Sequence, residues 1–452
     1  MHADARVDGD TAARLRAVER LLQSDEHDRG LHELRSLEQD ACEDRRLLQG
    51  VGLLYSHLNL HVDAGRCYER VAALSPGDPQ ALYNWATCLT ALGQLEVAEE
   101  RLNQVIALSP DDHDAQYNRS ILRRQTPGRN HVDELRQKLS DWQRSPTARI
   151  ALGYALAKEL EDLERYRESF AALKTAADTR RRLLSYRVEH DVTTMEQIAE
   201  AFDGEYCRRR TRAGTSTVRP IFIVGLPRSG TTLVDRILSS HSQVGSRGES
   251  SDLSAILMRL AGPVPDRKTL VRRATMLDAA ELGRGFCARL PRTGTPRVID
   301  KTPLNFLYLG LIAAALPQAA IIHVRRQPLD VCYAMYKTLF RMAYPFSYDL
   351  TDLACYYSAY SRLMQHWRDT LGSRLIEVDY ESLVADQAGE TRRLLDACAL
   401  PWEGSCLEFH RNERPTLTAS AAQVRQPLYS SSVGLWQRYR SELQLLVERL
   451  RE

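Results

Sequence analysis

Apolar positions in this chain follow two rhythms, and the change between them falls near residue 206. From Ala12 to about Leu184 they recur at helical spacing in stretches dominated by Ala, Leu, Glu and Arg, without β-branched runs. Helical character continues to about Tyr206. Cys207 to Val218 is basic, then rich in Gly, Ser and Thr, and reads as a linker. After it, short continuous apolar runs alternate with helical segments. Ile221–Val224, Arg297–Ile299, Ala320–Val324 and Arg374–Val378 are the expected strands, and the alternation predicts a parallel α/β sheet.

Inside the helical half the sequence repeats. Ala73-Leu74-Ser75-Pro76 returns as Ala107-Leu108-Ser109-Pro110, a shift of 34 residues that Leu58 and Leu92, Ala64 and Ala98, and Ala81 and Ala115 also keep. A helix–turn–helix unit of that length is the tetratricopeptide signature. Small residues (Gly52 or Ala86, then Ala64 or Ala98) fall where paired helices approach, and the proline ends the second helix. Two repeats are expected, about 45–78 and 79–112. A third is degraded, because Arg119 and Arg123 replace apolar positions, and 149–173 reads as a further helical hairpin. Stacked hairpins offer a concave surface for a peptide or partner protein. A purely structural appendage is the alternative.

Composition narrows the class. With 43% hydrophobic and 27% charged residues the 452-residue chain is globular, and a net charge of +2 gives no reason to expect nucleic acid. Only six lysines stand against 55 arginines, so each lysine draws notice. Nine cysteines lack any C-x-x-C spacing, so a reducing cytoplasm is expected, with neither a disulfide framework nor a zinc site. His57 and His61, four apart, lack a third ligand and read as repeat surface; no metal is implied. No segment approaches the ~20 apolar residues of a membrane span.

The chemistry gathers after residue 219. Pro220–Leu233 reads PIFIVGLPRSGTTL: a buried strand, a glycine-bounded loop, then a helix that the Thr pair is expected to cap. Glycines let backbone N–H groups close around an anion, and the helix N-terminus adds partial positive charge. Gly225 and Gly230 keep the Walker spacing and Thr232 its hydroxyl, but Thr231 stands where the lysine belongs, and Arg228 brings a cation earlier. The loop therefore holds a phosphate without the group that reaches the β/γ-phosphates of a nucleotide.

PRSGTT after a buried strand resembles the 5′-phosphate loop of sulfotransferases, which use 3′-phosphoadenosine 5′-phosphosulfate (PAPS). Further motifs resemble the protein-tyrosine sulfotransferases: Gly248-Glu249, then Lys301-Thr302-Pro303, then Arg326 with Pro328 and Asp330. The resemblance implies that Glu249 is the catalytic base and Lys301 stabilises the transferring sulfuryl group. It gives the 5′-phosphate to Arg228, Ser229, Gly230, Thr231 and Thr232, and the 3′-phosphate to Arg326. Tyr380 would stand on the adenine side, and Ser420 near the sulfate. Two positions depart from the family: Ala334 replaces a companion serine, for which Arg325 or Tyr333 could compensate, and Leu435 replaces a basic residue before Trp436.

The expected protein is thus a P-loop-like parallel-sheet sulfotransferase domain (219–452) behind a linker (207–218) and an all-α tetratricopeptide domain (1–206). It would move a sulfuryl group from PAPS to a hydroxyl, a protein tyrosine being one acceptor, with the repeats holding an acceptor protein or peptide. The alternatives are a repeat scaffold with an inactive transferase domain, or a P-loop small-molecule kinase.

Overall fold

The computed structural model of the protein describes residues 2–23, 26–141, 145–208, 219–290, 294–416, 418 and 420–450. The chain divides into two compact units, Met1–Gln125 with Glu413–Ala422, and Thr126–Asn412 with Gln423–Glu452.

In the first unit the 34-residue period is written in the helix starts. Asp44, Asp78 and Asp112 each cap a helix with the side chain: Asp44 accepts from Arg46 N and Leu47 N, Asp78 from Gln80 N and Ala81 N, and Asp112 from Ala115 N. The paired helices are Arg45–His57 with His61–Leu74, and Pro79–Leu92 with Leu95–Leu108. Gly52 lies where they touch: a Cβ there would stand 3.1 Å from the ring of Tyr68. The third repeat opens with a short helix, His113–Ile121, and the compact unit ends at Gln125, before the next helix, Val132–Ser140. The third repeat's arginines are accommodated by polar contacts: Arg123 donates to both oxygens of the buried Glu99 at 3.1 Å, and Arg119 to Asn103 Oδ1 at 3.2 Å.

The second unit begins with helices. Pro146–Asp162 and Tyr166–Arg182 form a tight hairpin in which a Cβ at Gly153 would stand 2.7 Å from that of Ala176. This hairpin is held to the sheet-bearing part of the chain. Tyr333 Oη and Lys337 Nζ donate to Glu161 at 2.8 and 2.5 Å, Tyr154 Oη donates to Tyr336 O, and Arg181 pairs with Asp352 at 2.6 Å. By compactness the chain therefore divides at 125/126, and the helices from Val132 to Arg208 go with the sheet. Most of the expected linker, 209–218, lies outside the described residues; Cys207 and Arg208 end the helix Gly204–Arg208.

Five strands make a fully parallel sheet: β1 (Arg219–Val224), β2 (Val244–Ser246), β3 (Arg297–Asp300), β4 (Ala320–Arg325) and β5 (Leu375–Asp379), in the order β2-β3-β1-β4-β5. β1 is central and buried from Pro220 onward, as strands covered on both faces are. Ile221 and Ile223 pack with Val234 and Ile237 of the following helix and with Leu394. Among the described residues no helix is long and apolar enough to cross a membrane.

Candidate active site at the strand ends

All the expected motifs except Ser420 fall at the C-terminal ends of these strands or in the turns just beyond, where parallel sheets bind ligands. The loop after β1 departs from ordinary backbone at three of its residues. Gly225 has φ 150°, Arg228 φ 69° and Gly230 φ 109°, and a left-handed arginine is a strained position. A Cβ at Gly225 would lie 2.5 Å from Val324 O, and one at Gly230 would lie 2.6 Å from the Tyr380 ring, so only glycine lets the loop close here. The Thr pair does not cap the helix. Gly230 takes the N-cap position without a side-chain bond, and Thr231 and Thr232 are the first two helical residues of Thr231–Ser239. Their N–H groups belong to the first turn, which has no upstream carbonyl to bind. Ser229 is 2% exposed, and its Oγ meets no hydrogen-bond partner among the described residues. A buried hydroxyl left so beside a helix start suits an anion's oxygens.

Arg326, just past β4, stands beside this loop. It donates to Arg228 O at 3.0 Å and to Ser432 O at 2.5 Å, and its guanidinium lies 4.7 Å from the centre of the Tyr380 ring. Arg228 donates to Gln423 Oε1 at 2.8 Å, and the Tyr380 and Ser432 hydroxyls are 2.8 Å apart. Arg228, Ser229, Gly230, Arg326 and Tyr380 are thus brought together, across as many as 152 residues of sequence. A cavity of about 310 Å³ opens beside them, lined by Ser229, Arg326, Gln327 and Glu381 among others.

Sequence reasoning missed Ser432 as a contact. The visible signal was the run Ser430–Ser432 before Val433-Gly434, hydroxyls followed by a turn residue. Asp330 anchors that turn by accepting from Gly434 N at 2.6 Å and Trp436 N at 3.2 Å. The two residues expected to compensate for Ala334 are engaged elsewhere. Arg325 pairs with Asp379 through bonds of 2.9 and 3.0 Å, and Tyr333 is buried with its hydroxyl on Glu161. Ser420 lies in Glu413–Ala422, the stretch compact with the first unit, and its assignment rests on the resemblance alone.

One strand away from the glycine loop, two segments are zipped together beyond β2 and β3. Lys301 N donates to Gly248 O at 2.9 Å and Ser250 N to Thr302 Oγ1 at 2.9 Å. Between these bonds the side chains meet: Lys301 Nζ donates to Glu249 Oε1 at 2.6 Å. Lys301 is 1% exposed, whereas the Glu249 side chain is 47% exposed, so the carboxylate is the half of the pair that a solute can reach. Asp300, next along β3, is placed differently. It is fully buried, and its Oδ1 lies 3.2, 2.7 and 3.1 Å from Thr302 N, Thr302 Oγ1 and Asn305 Nδ2. Burial pushes its carboxyl up to about 6 against the pull of Thr302 and Arg247.

A parallel sheet with a glycine loop after its central strand, an arginine at the next strand end and a lysine–carboxylate pair alongside is the layout of a group transferase that handles anions. The family comparison is specific. Residues 220–404 match the model of the sulfotransferase family and 61–119 that of a tetratricopeptide repeat, so the chain carries a sulfotransferase-family domain and such repeats. A protein of Aquifex aeolicus (strain VF5) described only as uncharacterized is 32% identical over 383 residues, 80% of this chain and 49% of its own length. The chain thus spans about half of that relative. A protein of Drosophila melanogaster described as a protein-tyrosine sulfotransferase is 25% identical over 241 residues, 48% of this chain and 46% of that one. Among solved structures, the sulfotransferase domain of the Synechococcus PCC 7002 olefin synthase aligns with 20% identity and a TM-score of 0.30, over 54% of this chain and 99% of that domain.

Proposed function

We propose that the second unit transfers a sulfuryl group from PAPS to a hydroxyl. The observation that carries this reading is the Lys301–Glu249 contact of 2.6 Å, one strand from the glycine loop. In this reading Arg228 to Thr232 hold the 5′-phosphate, Arg326 the 3′-phosphate, and Tyr380 packs against the donor. The acceptor oxygen attacks sulfur in line and its proton passes to Glu249, while the bond from sulfur to the bridging phosphate oxygen breaks. Adenosine 3′,5′-bisphosphate leaves. A positioned base typically contributes ~10²–10⁴-fold, and a fixed cation meets the charge that grows on the departing oxygen. Lys301 is fixed in this sense, buried and already bonded, so it need not reorganise during the reaction.

Two acceptors suit a base that activates a phenol. A protein tyrosine is suggested by the relative's description, with the repeats holding the acceptor protein; a small aromatic alcohol is favoured by the cavity treated below. We also propose a reducing compartment such as the cytoplasm, on the scattered spacing of the nine cysteines along the sequence. The test is single-turnover sulfate transfer from PAPS with Glu249→Gln and Asp300→Asn in parallel. The first should be at least ~10²-fold slow and the second active. A dead Asp300→Asn beside an active Glu249→Gln would move the base to Asp300.

A further inference from the structure

A second cavity, of about 400 Å³, lies within the same unit. Its wall includes Leu304, three residues beyond Lys301 in the same turn, and continues through Met195, Phe202, Leu270 and Phe346. Tyr344 lines it too, held at φ 52° and ψ 55°, a rare backbone for an aromatic residue. Burial raises the pKa of its hydroxyl, and the Glu249 carboxylate raises it further, so Tyr344 lies within electrostatic reach of that carboxylate. The cavity therefore has one lining residue, Leu304, three positions beyond Lys301 at the end of β3, and another, Tyr344, within electrostatic reach of Glu249.

The lining is uncharged in effect. Its acid and its arginine, Asp191 and Arg267, are paired with each other at 2.5 Å, and the Tyr186 hydroxyl donates to Asp191 at 2.6 Å. A wall of aliphatic and aromatic side chains with its charges already matched selects a neutral apolar ligand, and the volume is that of a small-molecule pocket. An acidic peptide would find no cation there beyond one already paired.

We propose that this cavity holds the uncharged aromatic body of a small-molecule acceptor, whose hydroxyl is presented to Glu249 and Lys301. The hydroxyl gives its proton to Glu249 and its oxygen takes the sulfuryl group from PAPS, leaving an aryl sulfate and adenosine 3′,5′-bisphosphate. This rests on the sulfuryl-transfer reading above.

The experiment is calorimetry on the full chain with 2-naphthol as probe, no donor present, and a separate titration with adenosine 3′,5′-bisphosphate. Ala274→Trp fills the cavity from a buried lining position, and Thr194→Trp from a half-buried one that is less costly to folding. Saturable 2-naphthol binding by the wild type is expected, at least about 10-fold weaker in either folded variant, with adenosine 3′,5′-bisphosphate bound as before. No saturable binding by the wild type, or unchanged binding in both variants, overturns the proposal. Intact 2-naphthol binding with no binding of adenosine 3′,5′-bisphosphate overturns the donor reading and the acceptor role with it, a pattern distinct from failure of the cavity itself.

Discussion

At the ends of β1 and β4 the functional side chains are cations and hydroxyls held by neutral oxygens: Arg326 donates to the carbonyls of Arg228 and Ser432, and Arg228 to the Gln423 amide. At the ends of β2 and β3, in the same sheet, a buried lysine stands beside two carboxylates and is bonded to one of them. The contrast separates two tasks. An arginine resting on a carbonyl gains when a phosphate replaces that carbonyl, because the hydrogen bond becomes charge-assisted on both sides. A lysine already matched by a carboxylate gains little from another resting anion, and its value lies in charge that appears during reaction. On the proposed function, binding would belong to the β1/β4 end and turnover to the β2/β3 end.

The largest effect that could break this division is on turnover. Glu249→Gln and Lys301→Ala should each lower single-turnover sulfate transfer at least ~10²-fold. Glu249→Gln should leave affinity for adenosine 3′,5′-bisphosphate nearly unchanged; a fall in affinity matching the fall in rate would merge the two ends into one binding site. Next in size, Arg228→Ala or Arg326→Ala should weaken adenosine 3′,5′-bisphosphate by about 1.5–3 kcal/mol, since each removes a contact to a charged group. Unchanged affinity in a folded variant would remove the anion-binding role from this end.

The two carboxylates beside Lys301 give a third comparison. Asp300 binds its proton more tightly folded than unfolded, because burial raises its carboxyl from 3.8 to about 6. Its contribution to stability is therefore greatest at low pH, falls as pH rises between about 4 and 6, and is level above that. A displacement of this size is worth at most about 3 kcal/mol. Urea melts at pH 4 and pH 7 should show that this share of the difference disappears in Asp300→Asn and persists in Glu249→Gln. The smallest effect concerns the loop itself. Gly230→Ala places a Cβ at positive φ against the Tyr380 ring and should lower stability by about 1–2 kcal/mol, read from the urea midpoint.

The sheet was largely legible in the sequence because four of its strands carry short apolar stretches, unbroken over Ile221–Val224 in β1 and interrupted by His323 in β4 and Glu377 in β5. β2 escaped because three residues, Val244–Ser246, make no pattern. The glycine loop could be read from spacing alone, yet its helix cap could not: Gly230 occupies the position that the Thr pair was expected to fill. Pairings over long separations were the blind spot. Nothing local links Arg326 to Ser432, Arg325 to Asp379 or Tyr333 to Glu161, and those remote partners are why Arg325 and Tyr333 do not stand in for Ala334. Likewise, the periodicity of 146–182 shows that a helix face is buried but not against what, so its attachment to the sheet-bearing part became visible only through Glu161 and Arg181.

The central claim is that the β1/β4 end is built for a nucleotide with separate 5′- and 3′-phosphates and not for a triphosphate. Calorimetry of the full chain against adenosine 3′,5′-bisphosphate and ATP, side by side and without metal or acceptor, tests it directly. Saturable binding of adenosine 3′,5′-bisphosphate, weakened by Arg326→Ala, with ATP bound far more weakly, is the predicted result. ATP binding as tight as that of adenosine 3′,5′-bisphosphate, or no binding of the latter, would contradict it.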